Sequence, residues 1–97
     1  MPTLLVHLPG LPPVLHVVKE ETTTIGRMKG NTIVIEDTSI SLVHAKITRK
    51  DGEFYLKDLN STNGTWVNGQ PVGEARLKDL DRLRFADVSL QFLADEP

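Results

Sequence analysis

The stretch HAKITRKDGEFYLKD, residues 44–58, decides the fold class of this chain. Apolar and polar residues alternate in it on both sides of Asp51-Gly52, a residue pair that favours the tight turn of a β-hairpin. Alternation with a period of two places one set of side chains on the inner face of a sheet. The side chains assigned to that inner face are Ala45, Ile47, Phe54 and Leu56. The stretch therefore predicts two antiparallel strands joined by a short turn.

Similar short segments recur along the chain, separated by turn residues. The predicted strands cover residues 3–8, 13–18, 22–26, 32–35, 44–49, 54–58, 66–67, 70–72, 74–76, 82–85 and 88–93. About eleven short strands in close succession indicate an all-β fold, and an antiparallel β-sandwich of two sheets lets each sheet bury one face. The one helical candidate, Leu77–Arg82, is too short to be stable alone.

The composition is that of one ordinary globular domain. The 97 residues are 39% hydrophobic and 25% charged, which suits a single small core, so we expect one domain over residues 1–97. A net charge of −2 argues against a nucleic-acid partner, which would require many basic residues. The chain has no cysteine, which fits a reducing compartment. Its proline-broken opening resembles neither a signal peptide nor a membrane span, so we expect a cytoplasmic protein without a membrane partner.

The stretch LNSTNGTWVNG, residues 59–69, contains Asn-Gly pairs of two different kinds. Asn68-Gly69 lies between two strand-like segments and suits a type I′ turn, so its predicted role is structural. Asn63-Gly64 ends a longer polar run, which is predicted to project from one end of the sandwich, where loops often carry binding sites. The backbone amides and the Thr and Asn side chains of this run could bind an anion or a peptide backbone.

Two further polar segments are predicted to lie in loops between strands, TIGRMKGN at 24–31 and EDTSISLVHAKI at 36–47. The first segment places Arg27 directly after a strand and a glycine. The second places Ser41 three residues before His44. Guanidinium, hydroxyl and amide groups are thus expected on three separate loops.

In their order and spacing, these motifs resemble the forkhead-associated (FHA) domain family over residues 22–93. The matching elements are Gly26-Arg27, Asn31 with the apolar IVI segment, Ser41-x-x-His44-Ala45, the strand ending LKDL, Ser61-Thr62-Asn63-Gly64-Thr65 and Val67-Asn68-Gly69. The resemblance implies an eleven-stranded β-sandwich that binds phosphothreonine in partner proteins through loops at one end.

The resemblance also implies roles for individual residues. Arg27, Ser41 and Thr62 would bind the phosphate, while Asn63 and Leu42 would contact the bound peptide. A phosphothreonine carries about −1.5 to −2 charges and three acceptor oxygens, which suit guanidinium and hydroxyl donors. The residues with an implied structural role are Gly26, His44, Asn68 and Gly69, the histidine by tying loops together.

Leu42 and Val43 depart from the family pattern. The family often has arginine or asparagine at the first of these positions and a basic residue at the second. A pocket with less positive charge leaves a second interpretation open, which is a phospho-independent protein interaction module on the same fold.

The sequence predicts no catalytic, cofactor or metal site. Ser41 and His44 could suggest an esterase, but residues three apart on an extended strand point to opposite faces, and no G-x-S-x-G motif occurs. Asp58, Asn60 and Thr62 have the first spacings of a calcium-binding loop. The register then fails, because the loop would need glycine and glutamate where this chain has Asn63 and Gly69.

Overall fold

The computed structural model describes residues 1–94, which form eleven β-strands. Their bounds are β1 Thr3–His7, β2 Val14–Val17, β3 Thr22–Gly26, β4 Ile33–Val34, β5 Ala45–Lys50, β6 Glu53–Asp58, β7 Thr65–Val67, β8 Gln70–Pro71, β9 Glu74–Leu77, β10 Arg82–Phe85 and β11 Val88–Leu93. The expected all-β sandwich is confirmed, and β5 and β6 form the hairpin predicted from residues 44–58.

The strands form two sheets. One has six strands in the order β2-β1-β11-β10-β7-β8, and the other has five in the order β4-β3-β5-β6-β9. All pairs are antiparallel except β3–β4, which is parallel with Ile25 opposite Ile33. This pair departs from the expected purely antiparallel sandwich, because residues 27–32 carry the chain back so that β4 runs in the same direction as β3.

The core lies between the sheets and follows from the alternation of side chains along the strands. On β10 and β11 every second residue is buried. Residues that lie opposite each other on the two strands point to the same face, so the buried residues of both strands line one side of the core. The largest fully buried apolar side chains are Phe85, Phe92, Leu4, Ile25, Ile35, Ile40, Ile47, Leu56 and Leu90. His44 is also fully buried, at 0% exposure, and its ring stacks on Phe85 with centroids 5.2 Å apart.

The helical candidate over residues 77–82 does not form a helix. Leu77 ends β9 and Arg82 begins β10, with a turn between them. The side chain of Asp81 accepts a hydrogen bond from the Lys78 backbone N–H (2.8 Å), and the Leu80 N–H donates to the Phe92 carbonyl (2.8 Å). These contacts bind the segment to its own turn and to β11. Along residues 1–94 no helix occurs, and so none that is long and apolar enough to cross a bilayer.

Candidate functional site

Three loops meet at one end of the sandwich, where β3 and β6 end and where β5 and β7 begin. They are residues 27–32, residues 35–44 and residues 59–64, here called the first, second and third loop. Backbone bonds hold them together, since the Arg27 N–H donates to the Ser41 carbonyl (3.0 Å) and the Leu59 N–H donates to the His44 carbonyl (2.9 Å). The three polar segments singled out in the sequence therefore lie side by side.

Arg27 is exposed and its guanidinium is anchored on one side only. Its Nε donates to the Ile40 carbonyl at 3.0 Å, immediately before Ser41 in the chain. Within residues 1–94 its terminal amino groups have no hydrogen-bond or ion-pair partner. The side chain is held in place while most of its donors face solvent. It lines a shallow groove of ≈ 290 Å³ with Lys29, Glu36, Asp37 and Thr38.

The Ser41 hydroxyl connects the second loop to the third. Its oxygen accepts a hydrogen bond from the Thr62 backbone N–H at 3.0 Å, which leaves its hydrogen free to donate. The Asn63 side-chain NH₂ donates to the Ser39 carbonyl at 2.9 Å, so the other amide atom, Oδ1, can accept. Both contacts orient the third loop against the second.

His44 uses both ring nitrogens within the protein. Nδ1 accepts from the Ser41 backbone N–H (3.1 Å), which makes Nε2 the protonated nitrogen that donates to the Gly64 carbonyl (2.9 Å). Burial lowers the pKa of His44, although the Gly64 carbonyl and Asp58 act to raise it. The expected placement of Ser41 and His44 on opposite faces of a strand is wrong, because residues 41–44 lie in a loop and the imidazole contacts the serine backbone.

Gly26 lies where β3 passes directly against the second loop. A Cβ atom at this position would come within 2.2 Å of the Leu42 carbonyl oxygen, so a larger residue does not fit. That oxygen also accepts from the Met28 N–H (3.2 Å) and from Asn31 Nδ2 (2.8 Å). The Leu42 side chain itself is 50% exposed at the rim of the site.

Asn68 and Gly69 lie at the opposite end of the sandwich and do not join the site. Their φ values of 49° and 83° are those of the predicted type I′ turn. The Asn68 side chain donates to Asp81 Oδ1 (2.9 Å) and accepts from the Arg82 N–H (2.9 Å).

Sequence reasoning missed Asp58 and Ser39 as organisers of the loops. Asp58 accepts from the Ser61 hydroxyl (2.5 Å) and the Thr65 hydroxyl (2.6 Å); burial acts to raise its pKa, but these hydrogen bonds outweigh burial and lower it. The Ser39 hydroxyl donates to Asp37 and accepts from the Asp87 N–H. Two local signals could have indicated these roles: the Asp-x-x-Ser spacing of Asp58 and Ser61 and the Asp-x-Ser spacing of Asp37 and Ser39.

Comparison with known proteins decides the family, since the FHA domain model matches residues 23–86. The chain belongs to the FHA domain family. The likeness of this FHA domain to solved ones extends over nearly the whole chain. With the FhaA FHA domain complexed with the intracellular domain of Rv3910 it shares 32% identity and a TM-score of 0.86, covering 95% of this chain and 99% of that one.

A second FHA domain was solved in a structural and functional analysis of phosphothreonine-dependent FHA domain interactions. This FHA domain shares 29% identity with it at a TM-score of 0.87, over 98% of this chain and 99% of that one. Among curated relatives, the glycogen accumulation regulator GarA of Mycolicibacterium smegmatis is 35% identical over 77 residues, 79% of this chain and 49% of GarA. The chain thus spans about half the length of the curated relatives it matches.

Proposed function

We propose that this FHA domain binds a phosphothreonine-containing segment of a partner protein through its three loops, as a recognition module in Ser/Thr-kinase signalling. One observation carries the proposal: Arg27, whose guanidinium is anchored through Nε alone, lies next to the Ser41 hydroxyl. The phosphothreonine-dependent interactions studied for a similar FHA domain support the same ligand class.

The donors available at this site suit a phosphate group. A phosphothreonine presents about −1.5 to −2 charges and three acceptor oxygens. The free amino groups of Arg27 supply charge-assisted hydrogen bonds, and the hydroxyls of Ser41 and Thr62 add neutral ones. Because charge-assisted hydrogen bonds contribute about 1.5–3 kcal/mol each, a few are enough and no large basic patch is required.

Asn63 and Leu42 would contact the peptide around the phosphothreonine. The amide of Asn63 is fixed through its bond to the Ser39 carbonyl, which leaves Oδ1 as an acceptor for a main-chain N–H of the ligand. The exposed Leu42 side chain would pack against an apolar side chain of the ligand. Gly26 and His44 act indirectly, by fixing the loops.

The proposal assigns binding and no catalysis, cofactor or metal to this site. Both nitrogens of His44 are bonded to the backbone, so the imidazole is not placed to take a proton from the Ser41 hydroxyl. We also propose that residues 1–97 form a single module, that its partner is a protein rather than a nucleic acid or a membrane, and that it acts in the cytoplasm. The balanced charge and lack of cysteine support these assignments.

Isothermal titration with a peptide selected from a degenerate phosphothreonine library tests the site. We expect Arg27→Ala to weaken binding by about 2–5 kcal/mol, because it removes one member of a desolvated charge pair. The matched control is Arg49→Ala, which removes an exposed arginine from the far end of β5 and should bind like the unaltered domain. Equal binding by Arg27→Ala would show that the phosphate lies elsewhere.

The same peptide made with phosphothreonine, phosphoserine and unmodified threonine tests the ligand class. We expect phosphothreonine to bind most tightly, by about 10- to 200-fold over phosphoserine, if the third loop encloses the extra methyl group. The unmodified peptide should show no measurable binding. Equal affinity for the unmodified peptide would instead favour a phospho-independent interaction module.

A further inference from the structure

The six-stranded sheet exposes a polar, cationic region on its outer face. Leu83, Phe85, Leu90 and Phe92 are buried in the core, so the residues that alternate with them on β10 and β11 point outward. Their partners on the neighbouring strands point outward as well, since Ser89 lies opposite His7 on β1 and Arg84 lies opposite Trp66 on β7. The outward-facing residues of this region are His7, Trp66, Arg82, Arg84, Ser89 and Gln91. They line a groove of ≈ 430 Å³.

An apolar region adjoins the groove on the same face. Leu15 and Val17 of β2 are 62% and 55% exposed. They lie opposite Leu5 and Thr3 of β1, and Thr3 in turn lies opposite Leu93 of β11. This outer face therefore combines an apolar half on β2 and β1 with a cationic half on β10 and β7.

The positive charge of the outer face is not neutralised by the sheet that carries it. Not one of the six strands contains an aspartate or a glutamate. The five-stranded sheet, by contrast, contains acidic as well as basic side chains, and Arg76 contacts Glu53 at 3.9 Å. Throughout residues 1–94, neither Arg82 nor Arg84 has a carboxylate partner. A ligand for this face must supply the negative charge.

Arg84 is already arranged for such a ligand. Its guanidinium carbon lies 3.9 Å from the centre of the Trp66 ring, a cation–π contact that restricts the side chain without using its hydrogen-bond donors. Arg82 lies two residues earlier on the same strand and on the same face, about 6.5 Å away along the strand. Consecutive side chains of an extended segment that crosses the strands point to opposite sides, so two neighbouring acidic residues can pair with both arginines at once.

We propose that this outer face is a second docking surface, which binds an unphosphorylated segment of a partner protein with clustered acidic residues next to apolar ones. The acidic residues would contact Arg82 and Arg84, and the apolar residues would cover Leu15 and Val17. None of the residues assigned to the phosphate, Arg27, Ser41 and Thr62, lines the groove. The two surfaces can therefore be occupied together, and the second does not depend on the phosphothreonine assignment.

A protein segment suits this face better than other anionic partners. A nucleic acid presents many phosphates and requires a correspondingly large number of basic residues, whereas this face offers two arginines and a large apolar area. The six strands span about 24 Å across the sheet, five spacings of about 4.8 Å, which an extended segment of about eight residues covers.

Trp66 provides a direct test, because it is the one tryptophan of the chain and gives a single indole N–H signal. The probe is a library of unphosphorylated eight-residue peptides with acidic residues at one end and apolar residues at the other, titrated into ¹⁵N-labelled domain. We expect peptides from this library to shift the Trp66 indole signal and the amides of residues 89–91, with affinity that falls as salt rises. The signals of the first loop and of residues 59–63 should stay unchanged, whereas Gly64 lies against the Trp66 ring and is left out of this comparison.

Two charge-matched double variants complete the test. Arg82→Gln with Arg84→Gln should weaken the best peptide about tenfold or more, while Lys50→Gln with Lys57→Gln on the opposite sheet should leave it unchanged. Phosphopeptide binding should be the same in both. The proposal is overturned if no peptide shifts Trp66, if the two variants lose affinity equally, or if the largest shifts fall on residues 27–32 or 59–63. It is also overturned if an oligonucleotide or anionic vesicle binds this face more tightly than every peptide.

Discussion

At the scale of single residues, the binding end depends on very close contacts between backbones. The Leu42 carbonyl oxygen lies in the space that a side chain at position 26 would occupy, and it also accepts bonds from Met28 and Asn31. The first and second loops are therefore locked at one point. Any side chain at position 26 would force them apart.

We predict that Gly26→Ala lowers the free energy of unfolding by about 2–4 kcal/mol, because the added methyl group overlaps a backbone oxygen that cannot move freely. Urea denaturation measures this, and phosphopeptide affinity should fall as well. Gly73→Ala is the matched control, since a Cβ atom there meets nothing within 4 Å and should change stability by less than about 0.5 kcal/mol. Similar stabilities for the two variants would contradict the role of the close approach.

At the scale of elements, the turns were the most predictable features. Asp51-Gly52 and Asn68-Gly69 both have two successive positive φ angles, as their residue types indicate. The parallel β3–β4 pair was not predictable, because it depends on how residues 27–32 fold back rather than on alternation. The role of Ser39 was missed for a similar reason, since Asp87 comes close to it only in the folded chain. The partners of Asp58, in contrast, lie within seven residues of it.

The turn at Asn68 offers a prediction for an element remote from the loops. Asn68→Ala removes both contacts to the segment before β10 and leaves the Asp81 carboxylate, which is 6% exposed, with one donor fewer. We expect the free energy of unfolding to fall by about 1–3 kcal/mol, with phosphopeptide affinity unchanged. The control is Asn60→Ala, because Asn60 also has a positive φ but is exposed. This variant measures how much the backbone conformation alone lowers the free energy of unfolding. If Asn68→Ala lowered the free energy of unfolding no more than Asn60→Ala, the stabilising role of the Asn68 side chain would be refuted.

At the scale of the whole molecule, the distribution of charge matters more than its total. The net charge of −2 gave no sign of a cationic sheet face, because the acidic residues among residues 1–94 lie in the loops and in the other sheet. Which strands share a sheet decides this distribution, and β1 and β2 are far from β10 and β11 in sequence. The fold class and the loop site followed from local motifs, whereas the second surface required the strand order.

Stability should also depend on pH for the molecule as a whole. Burial lowers the pKa of His44 and of His16, so the unfolded chain takes up protons near pH 6.5 while the folded one resists them. The stabilisation is complete above that pH and is lost as pH falls below it, with a slope of at most about 1.4 kcal/mol per pH unit for each histidine. Asp37 and Asp58 have lowered pKa values, and their contribution is lost only below about pH 3.8.

Urea denaturation at pH 7.5, 6.5 and 5.5 therefore isolates the histidines. We expect the free energy of unfolding to decrease from pH 7.5 to pH 5.5. In His16→Gln the part of this decrease that is due to His44 should remain. His44→Gln should be less stable at pH 7.5, and the part of the decrease that is due to His44 should be absent from this variant. A pH-independent stability in the unaltered domain would disprove the lowered pKa values of His44 and His16.

The edge strand β2 has a consequence for the behaviour of the protein at high concentration. It has a sheet partner on one side only, and its exposed Leu15 and Val17 would favour β-strand addition by another chain. Two features limit this self-association: β2 has only four residues, and Pro12-Pro13 directly before it cannot donate backbone hydrogen bonds. The shortness of β2 and the two prolines before it thus reduce strand addition at this edge, so the domain can expose apolar side chains there without polymerising.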